Sequence, residues 1–249
     1  MKFTLFFMLC LALFCSTLNA EKPVSLKPLV FSYVSHPIVE QQLKPLITEA
    51  YRNLGYDIRF VSMQSDRFIK QFESGAVDGD VARLHQLTAF LPSMLLVYKF
   101  DSLNLTLQCR PGLSCTKADL DNPDHLLFIP AQTQVFRTLQ LRFGAKVYTV
   151  RDWSQLIELY NKGKIDRFFW LEGTLLKSGR LPPTSSVDIK TPALELYHIL
   201  HKSNAHLAPL IGTELRRLME KKTLAGVEKL SDYKKMQNSA FYSHLGIKS

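Results

Sequence analysis

Two stretches of this 249-residue chain follow one plan. LGYDIRFVSMQSDRFIKQFESGAVD, from Leu54 to Asp78, and FGAKVYTVRDWSQLIELYNKGKID, from Phe143 to Asp166, each open with an apolar residue and a glycine. Each then runs through β-rich residues, meets an aspartate, continues with helical periodicity, stops at glycine and restarts toward a second aspartate. Gly55 and Gly144 are expected to end preceding helices in the left-handed conformation. Ile58, Phe60 and Val61 in one copy, and Val147, Tyr148 and Val150 in the other, supply a strand. Asp66 and Asp152 are expected to cap the following helices. The apolar faces of those helices are Phe68, Ile69 and Phe72, or Leu156, Ile157 and Tyr160. Gly75 and Gly163 close them, and Val77 or Ile165 opens the next strand.

A strand and a helix also precede each copy. LVFSYV at 29–34 is followed by Val39, Leu43, Ile47, Ala50 and Leu54 at helical spacing, with Pro45 expected to kink that helix or delay its start. LLFIPA at 126–131 is followed by TQVFRTLQLRF, with Thr133 as the cap. Each half therefore reads strand, helix, strand, helix, strand, which requires parallel strands joined by right-handed crossovers. The fold class is α/β, in two lobes. LPSMLLVYKFDSLNLTLQCRPG between the halves and VDIKTPALELYHILHK after the second read as crossing strands, and a helical pattern follows from about Ala205 to Lys222. A chain that leaves one lobe, builds another and returns makes a two-strand hinge, the setting for closure around a ligand. Lobe one is expected over 21–107 and 190–249, with a C-terminal helical tail, and lobe two over 108–189.

The first twenty residues, MKFTLFFMLCLALFCSTLNA, place one lysine before an apolar run and end in small and polar residues, the layout of a secretory signal peptide cleaved after Ala20. The run is shorter than the roughly 20 residues that span a bilayer. A lipid anchor at Cys15 is the alternative, with bulky Phe14 before it. Cys10 and Cys15 leave with the signal, and Cys109 and Cys115 remain, bracketing a Pro-Gly turn. Export to an oxidising compartment favours a disulfide between them, with a metal pair as the rival reading. The chain carries 31 Lys+Arg against 22 Asp+Glu; without Lys2 the balance is 30 against 22, a net of +8, which favours anionic partners. The basic residues are scattered rather than gathered into a stripe with aromatics, so no nucleic-acid partner is expected.

The signal peptide, the matched lobes, GAVDGDVAR at 75–83 and GKID at 163–166 resemble the type 2 periplasmic solute-binding proteins, in particular the family 3 group that includes receptors for polar amino acids. The resemblance covers about Lys27 to Lys222. AFLPSMLLVY stands where those receptors carry Phe-Ser-x-Pro-Tyr, and their Thr ahead of the lobe-one arginine is missing. The resemblance implies a two-lobe clamshell, a monomer in the periplasm, and a solute passed to an ABC importer or a sensor.

Ligands of open α/β sheets sit beyond the carboxyl ends of the strands. In lobe one that rule points to Ser32 and Tyr33 after the first strand and to Asp78, Asp80 and Arg83 after the third. Arg83 offers a planar fork suited to a carboxylate, and the resemblance puts a ligand-carboxylate arginine nearby. The alternative is an ion pair of Arg83 with Asp78 or Asp80 that stiffens the loop. Gln132, Thr133 and Gln134 begin a helix whose free N–H groups favour an anion, and an ordinary helix cap is the competing reading. Tyr33 is a candidate stacking wall. The resemblance puts an acidic residue for a ligand ammonium close to Glu172. His198, His201 and His206 read as core or solvated histidines rather than metal ligands, and no metal or other cofactor is expected.

No Gly-x-Ser-x-Gly or His-Glu-x-x-His occurs, so the leading expectation is a non-catalytic receptor. A lyase or dehydratase on the same scaffold, using Asp78, Asp80 or Glu172 as acid or base, is the alternative. A third reading makes the basic surface and the terminal tail an interaction surface.

Overall fold

The computed structural model describes residues 27–130, 139, 141–174, 181 and 183–223. The expected signal peptide, Gln132 to Gln134 and the expected tail beyond 223 lie outside the described residues. No helix among the described residues is long and apolar enough to cross a membrane.

The first half forms β1 (Leu29–Tyr33), α1 (Lys44–Asn53), β2 (Ile58–Ser62), α2 (Ser65–Glu73) and β3 (Gly79–Leu84). The long β4 (Met94–Cys109) crosses to β5 (Leu126–Pro130), β6 (Lys146–Val150), α3 (Trp153–Asn161) and β7 (Arg167–Glu172). The chain returns through β8 (Ser185–His201) to a helix over 208–223. The strands form one sheet in the order β2-β1-β3-β8-β4-β7-β5-β6. β1 is parallel to β2 and β3, and β5 is parallel to β6 and β7, whereas β4 and β8 run antiparallel to each other at the centre. The repeat is thus visible as two matching three-strand groups, with β1, β2 and β3 corresponding to β5, β6 and β7. The register of β4 on β8 slips between Leu103 and Leu105, whose partners are Leu194 and Ile189. Pro192 falls inside that break, where its lack of an N–H costs no ladder bond.

Several local expectations hold for stated reasons and two do not. Pro45 has no N–H for the carbonyl of Gln41, and the helix widens over Val39–Leu43 before α1, with the Lys44 N–H reaching back to Val39. Gly55, Gly75 and Gly163 adopt positive φ as helix ends require. Gly144 does not; a Cβ there would lie 2.3 Å from the Asp121 carbonyl oxygen, so close backbone approach is what it answers. Asp152 caps α3 by accepting from the Gln155 N–H, but its counterpart Asp66 sits inside the first turn of α2, whose N-cap is Gln64 with no side-chain capping bond. Cys109 and Cys115 form a disulfide, closed by a turn in which the Leu113 N–H donates to the Arg110 carbonyl.

The core of lobe one buries Phe31, Ile47, Tyr51, Phe68 and Phe72 and runs on through β4 and β8 into lobe two. A second cluster in lobe two centres on Trp153, Leu156, Tyr160, Phe168 and Trp170. Burying each large apolar side chain contributes about 1.5–3 kcal/mol. One polar pair is sealed in the core: the Tyr51 hydroxyl and His198 Nε2 are 2.9 Å apart, and His198 Nδ1 is 3.3 Å from the Val81 carbonyl oxygen. That pattern fits a neutral ring with Nδ1–H donating to Val81 and Nε2 accepting from Tyr51. Burial pushes the His198 pKa down to about 4 against the opposing pull of its backbone bonds.

Candidate ligand cleft

The equivalent strand-to-helix junctions of the two lobes face each other. In lobe one the chain leaves β2 at Ser62 and enters α2 at Ser65; in lobe two it leaves β6 at Val150 and enters α3 at Trp153. Both junctions lie at the carboxyl ends of parallel strands, and a cavity of about 370 Å³ opens between them. Lobe one lines it with Val34, Ser35, Ser62, Met63, Gln64 and Arg67, and lobe two with Pro130, Arg151, Asp152 and Trp153. Its volume falls toward the small end of the roughly 300–1,000 Å³ typical of small-molecule sites.

The electrostatics of this cleft are cationic. Arg67 is exposed and, among the described residues, has no ion-pair or hydrogen-bond partner. Arg151 Nε donates to Asp152 Oδ2 at 2.8 Å, while Asp152 Oδ1 accepts from the Gln155 N–H at 2.8 Å. Asp152 is the one carboxylate among the described lining residues, and both of its oxygens are occupied.

The lobes touch beside the cavity. Ser35 Oγ lies 3.3 Å from Ser154 Oγ, and Val34 packs against the lobe-two core. His36, from the loop after β1, sets its ring 5.5 Å from Trp153 and 5.3 Å from Trp170, centroid to centroid. Its Nδ1 accepts from the Ile38 N–H, and burial lowers its pKa to about 4, so at neutral pH the seam holds an uncharged ring.

The residues singled out from sequence that the structure describes fall in four places. Ser32, Asp80 and Arg83 come together: Ser32 Oγ donates to Asp80 Oδ2 at 2.6 Å, and Arg83 Nε donates to the same oxygen at 2.8 Å. Asp80 and Arg83 lie within β3 rather than beyond its end, because mutual neutralisation, the Ser32 hydroxyl and the Ala82 N–H let both be buried in mid-strand. Burial pushes the Asp80 carboxyl up, and Arg83, Ser32 and Ala82 pull it back. The Arg83 guanidinium also stacks 4.1 Å over Phe68 and donates to the Met63 carbonyl at 3.4 Å, one residue behind the cavity wall. Asp78 stands apart, accepting from the Val30 N–H and from Asn204 Nδ2. Tyr33 meets Phe60 edge-on with Lys44 Nζ 4.1 Å from its ring centroid, and Glu172 accepts from Gln108 Nε2. None of these residues lines the cavity. Among the described residues no group of His, Cys, Asp and Glu could hold a metal ion.

No family model and no curated protein matches the chain. Solved structures do. The P235GK mutant of ArgBP from T. maritima superposes with a TM-score of 0.59 at 16% identity, covering 78% of this chain and 90% of that one. The GluR0 ligand-binding core from Nostoc punctiforme, in complex with L-glutamate, gives 0.57 at 14% identity, with 80% and 96% covered. This chain has the two-lobe fold of the type 2 periplasmic binding proteins. The ancestral amino-acid-binding protein AncCDT-1, described as a precursor of cyclohexadienyl dehydratase, shares that binding-protein fold with a TM-score of 0.58 at 13% identity over 81% of this chain and 94% of that one. At these identities the likeness is one of fold.

Arg67, Arg151, His36 and Trp153 were not singled out from sequence. A weak signal existed: each copy carries an adjacent acid and arginine near its strand-to-helix junction, Asp66-Arg67 and Arg151-Asp152, although the two pairs stand three residues out of register in the repeat.

Proposed function

We propose that the protein is exported by its signal peptide to the periplasm, where it acts as a monomeric, non-catalytic receptor. In this reading a small polar, carboxylate-bearing, amino-acid-like solute enters the interlobe cleft and is passed to an ABC importer or a sensor. The observation that carries the reading is the cavity itself. It lies between two lobes and takes matching walls from both copies of an internal repeat, so a solute bridging it favours the closed arrangement of β4 and β8 over an open one. Arg83 contributes by bracing the Met63 carbonyl behind the wall.

A dehydratase-like enzyme is the second reading, favoured by one observation: a neighbour of the same fold is described as a precursor of cyclohexadienyl dehydratase. Against it stands the state of Asp152, the cleft carboxylate among the described residues, which is held by Arg151 and by the α3 N-terminus. Those contacts turn both oxygens toward donors of the protein itself, Arg151 Nε and the Gln155 N–H.

The test is a thermal-shift screen of residues 21–249 against amino acids, organic acids, polyamines and sugars, with recovery of any bound solute. A solute at a hundredfold excess over its dissociation constant adds about 3 kcal/mol of stability. Binding with the solute recovered unchanged is the expected result. A solute recovered in converted form moves the assignment to the enzyme, and no shift across the panel ends the receptor reading.

A further inference from the structure

We infer that the cleft selects a solute with two anionic groups separated by a short apolar spacer, one group facing Arg67 of lobe one and the other facing Arg151 of lobe two. The inference rests on the receptor reading and names the chemistry of its ligand. Arg67 lines the cavity and, among the described residues, has its charge unmatched. Arg151 lends only its Nε to Asp152 among the described contacts, which leaves the two terminal nitrogens of a fork that suits a carboxylate or phosphate.

The cavity is flanked by the N-termini of two nine-residue helices, α2 and α3. Each adds an equivalent of about half a positive charge. Two arginines and two helix ends, offset by Asp152 in the wall and by Asp66 in the first turn of α2, leave the cleft net positive, which favours an anionic solute. The lining also includes the apolar Val34, Met63, Pro130 and Trp153 beside the polar Ser35, Ser62 and Gln64, and a short hydrocarbon spacer against the apolar part replaces water at least cost.

Rejection follows from the same groups. A net-cationic solute would find one carboxylate among the described lining residues, Asp152, and that group already accepts from Arg151 and from the Gln155 N–H. Glu172 is outside the lining and holds Gln108. A cationic solute would therefore bury its charge beside two arginines, a like-charge contact that works against binding.

Calorimetric titration of residues 21–249 at low salt decides it, with glutarate, L-glutamate and inorganic phosphate as probes against butyrate, L-alanine and L-arginine. The expected result is that glutarate or L-glutamate binds tenfold or more tightly than inorganic phosphate and than every one of the second three. Arg67→Gln and Arg151→Gln should each weaken that binding tenfold or more without lowering the melting temperature of the unliganded protein. Binding of inorganic phosphate as tight as that of glutarate and L-glutamate would remove the need for a spacer and overturns the inference. Equal or tighter binding of butyrate, L-alanine or L-arginine, or undiminished affinity in both variants, overturns the inference while leaving the receptor reading in place. Silence from all six probes also overturns it, and a hit elsewhere in the wider screen would show that the receptor reading survives without it.

Discussion

Arg83 and Arg67 lie sixteen positions apart in sequence and mark two different uses of the same side chain. Arg83 is 3% exposed, its Nε is spent on Asp80, its plane rests on Phe68, and it donates to a backbone carbonyl. Arg67 is exposed at the start of α2 with no partner among the described residues. The comparison teaches that a buried charge in this fold is already saturated by the protein, whereas a charge at the strand-to-helix junction is still available to a ligand. The interior set, Asp80, Arg83 and His198, is held by contacts within the fold, and under the proposed function the cleft set, Arg67 and Arg151, serves binding.

The largest effect should come from the interior. Arg83→Met leaves the Asp80 carboxylate buried with its counter-ion gone, and breaking a buried pair this way costs about 3–5 kcal/mol. Urea unfolding should register that loss, and adding Asp80→Asn should recover a substantial part by removing the stranded charge. If Arg83→Met unfolds at the wild-type midpoint, the pair is not a structural brace and the distinction between the two arginines collapses.

Acid should separate the sets next. His198 and His36 ordinarily titrate near 6.5 and are held neutral in the fold, with pKa values of about 4. The unfolded chain binds protons that the folded chain refuses between those values, so this contribution is intact above pH 6.5 and is lost as the pH falls toward 4. Each histidine accounts for about 2 kcal/mol between pH 7 and pH 5. For His198, sealed between Tyr51 and Val81, the loss should appear in global unfolding. For His36, wedged on two tryptophans at the lobe seam, separation of the lobes suffices, so tryptophan fluorescence should change at a higher pH than the one at which the fold is lost. Coincident transitions would put both histidines in one cooperative unit.

Much of this was legible in the sequence because each element carries its own period. The repeat carries alternating strand and helix signals twice over, and two long crossing segments read as a return path, so two groups of parallel strands joined by a two-strand hinge follow from topology rules. The placement of Asp80 and Arg83 was not legible, since DGDVAR reads as a turn by composition; only the partners Ser32 and Met63, about 48 and 20 positions away, make a mid-strand ion pair tolerable. The cleft was half legible. The expectation that ligands lie beyond strand ends was applied to β1 and β3; the cavity does take Val34 and Ser35 from beyond β1, but its other walls stand at the ends of β2, β5 and β6 rather than of β3.

The smallest effect is the sharpest test of the comparison. Arg67 is exposed on the first turns of α2, buries no partner and leaves none stranded when removed, so Arg67→Gln should change unfolding free energy by no more than about 0.5 kcal/mol. Glutamine keeps helix propensity close to that of arginine, which removes the remaining local cause of a shift. A stability change larger than about 1 kcal/mol would mean that Arg67 has a structural partner and resembles Arg83 after all. A stability left unmoved, paired with loss of ligand-induced melting shift, would confine the role of Arg67 to the cleft. The two arginines would then differ in one physical respect only: whether the fold has already satisfied their charge.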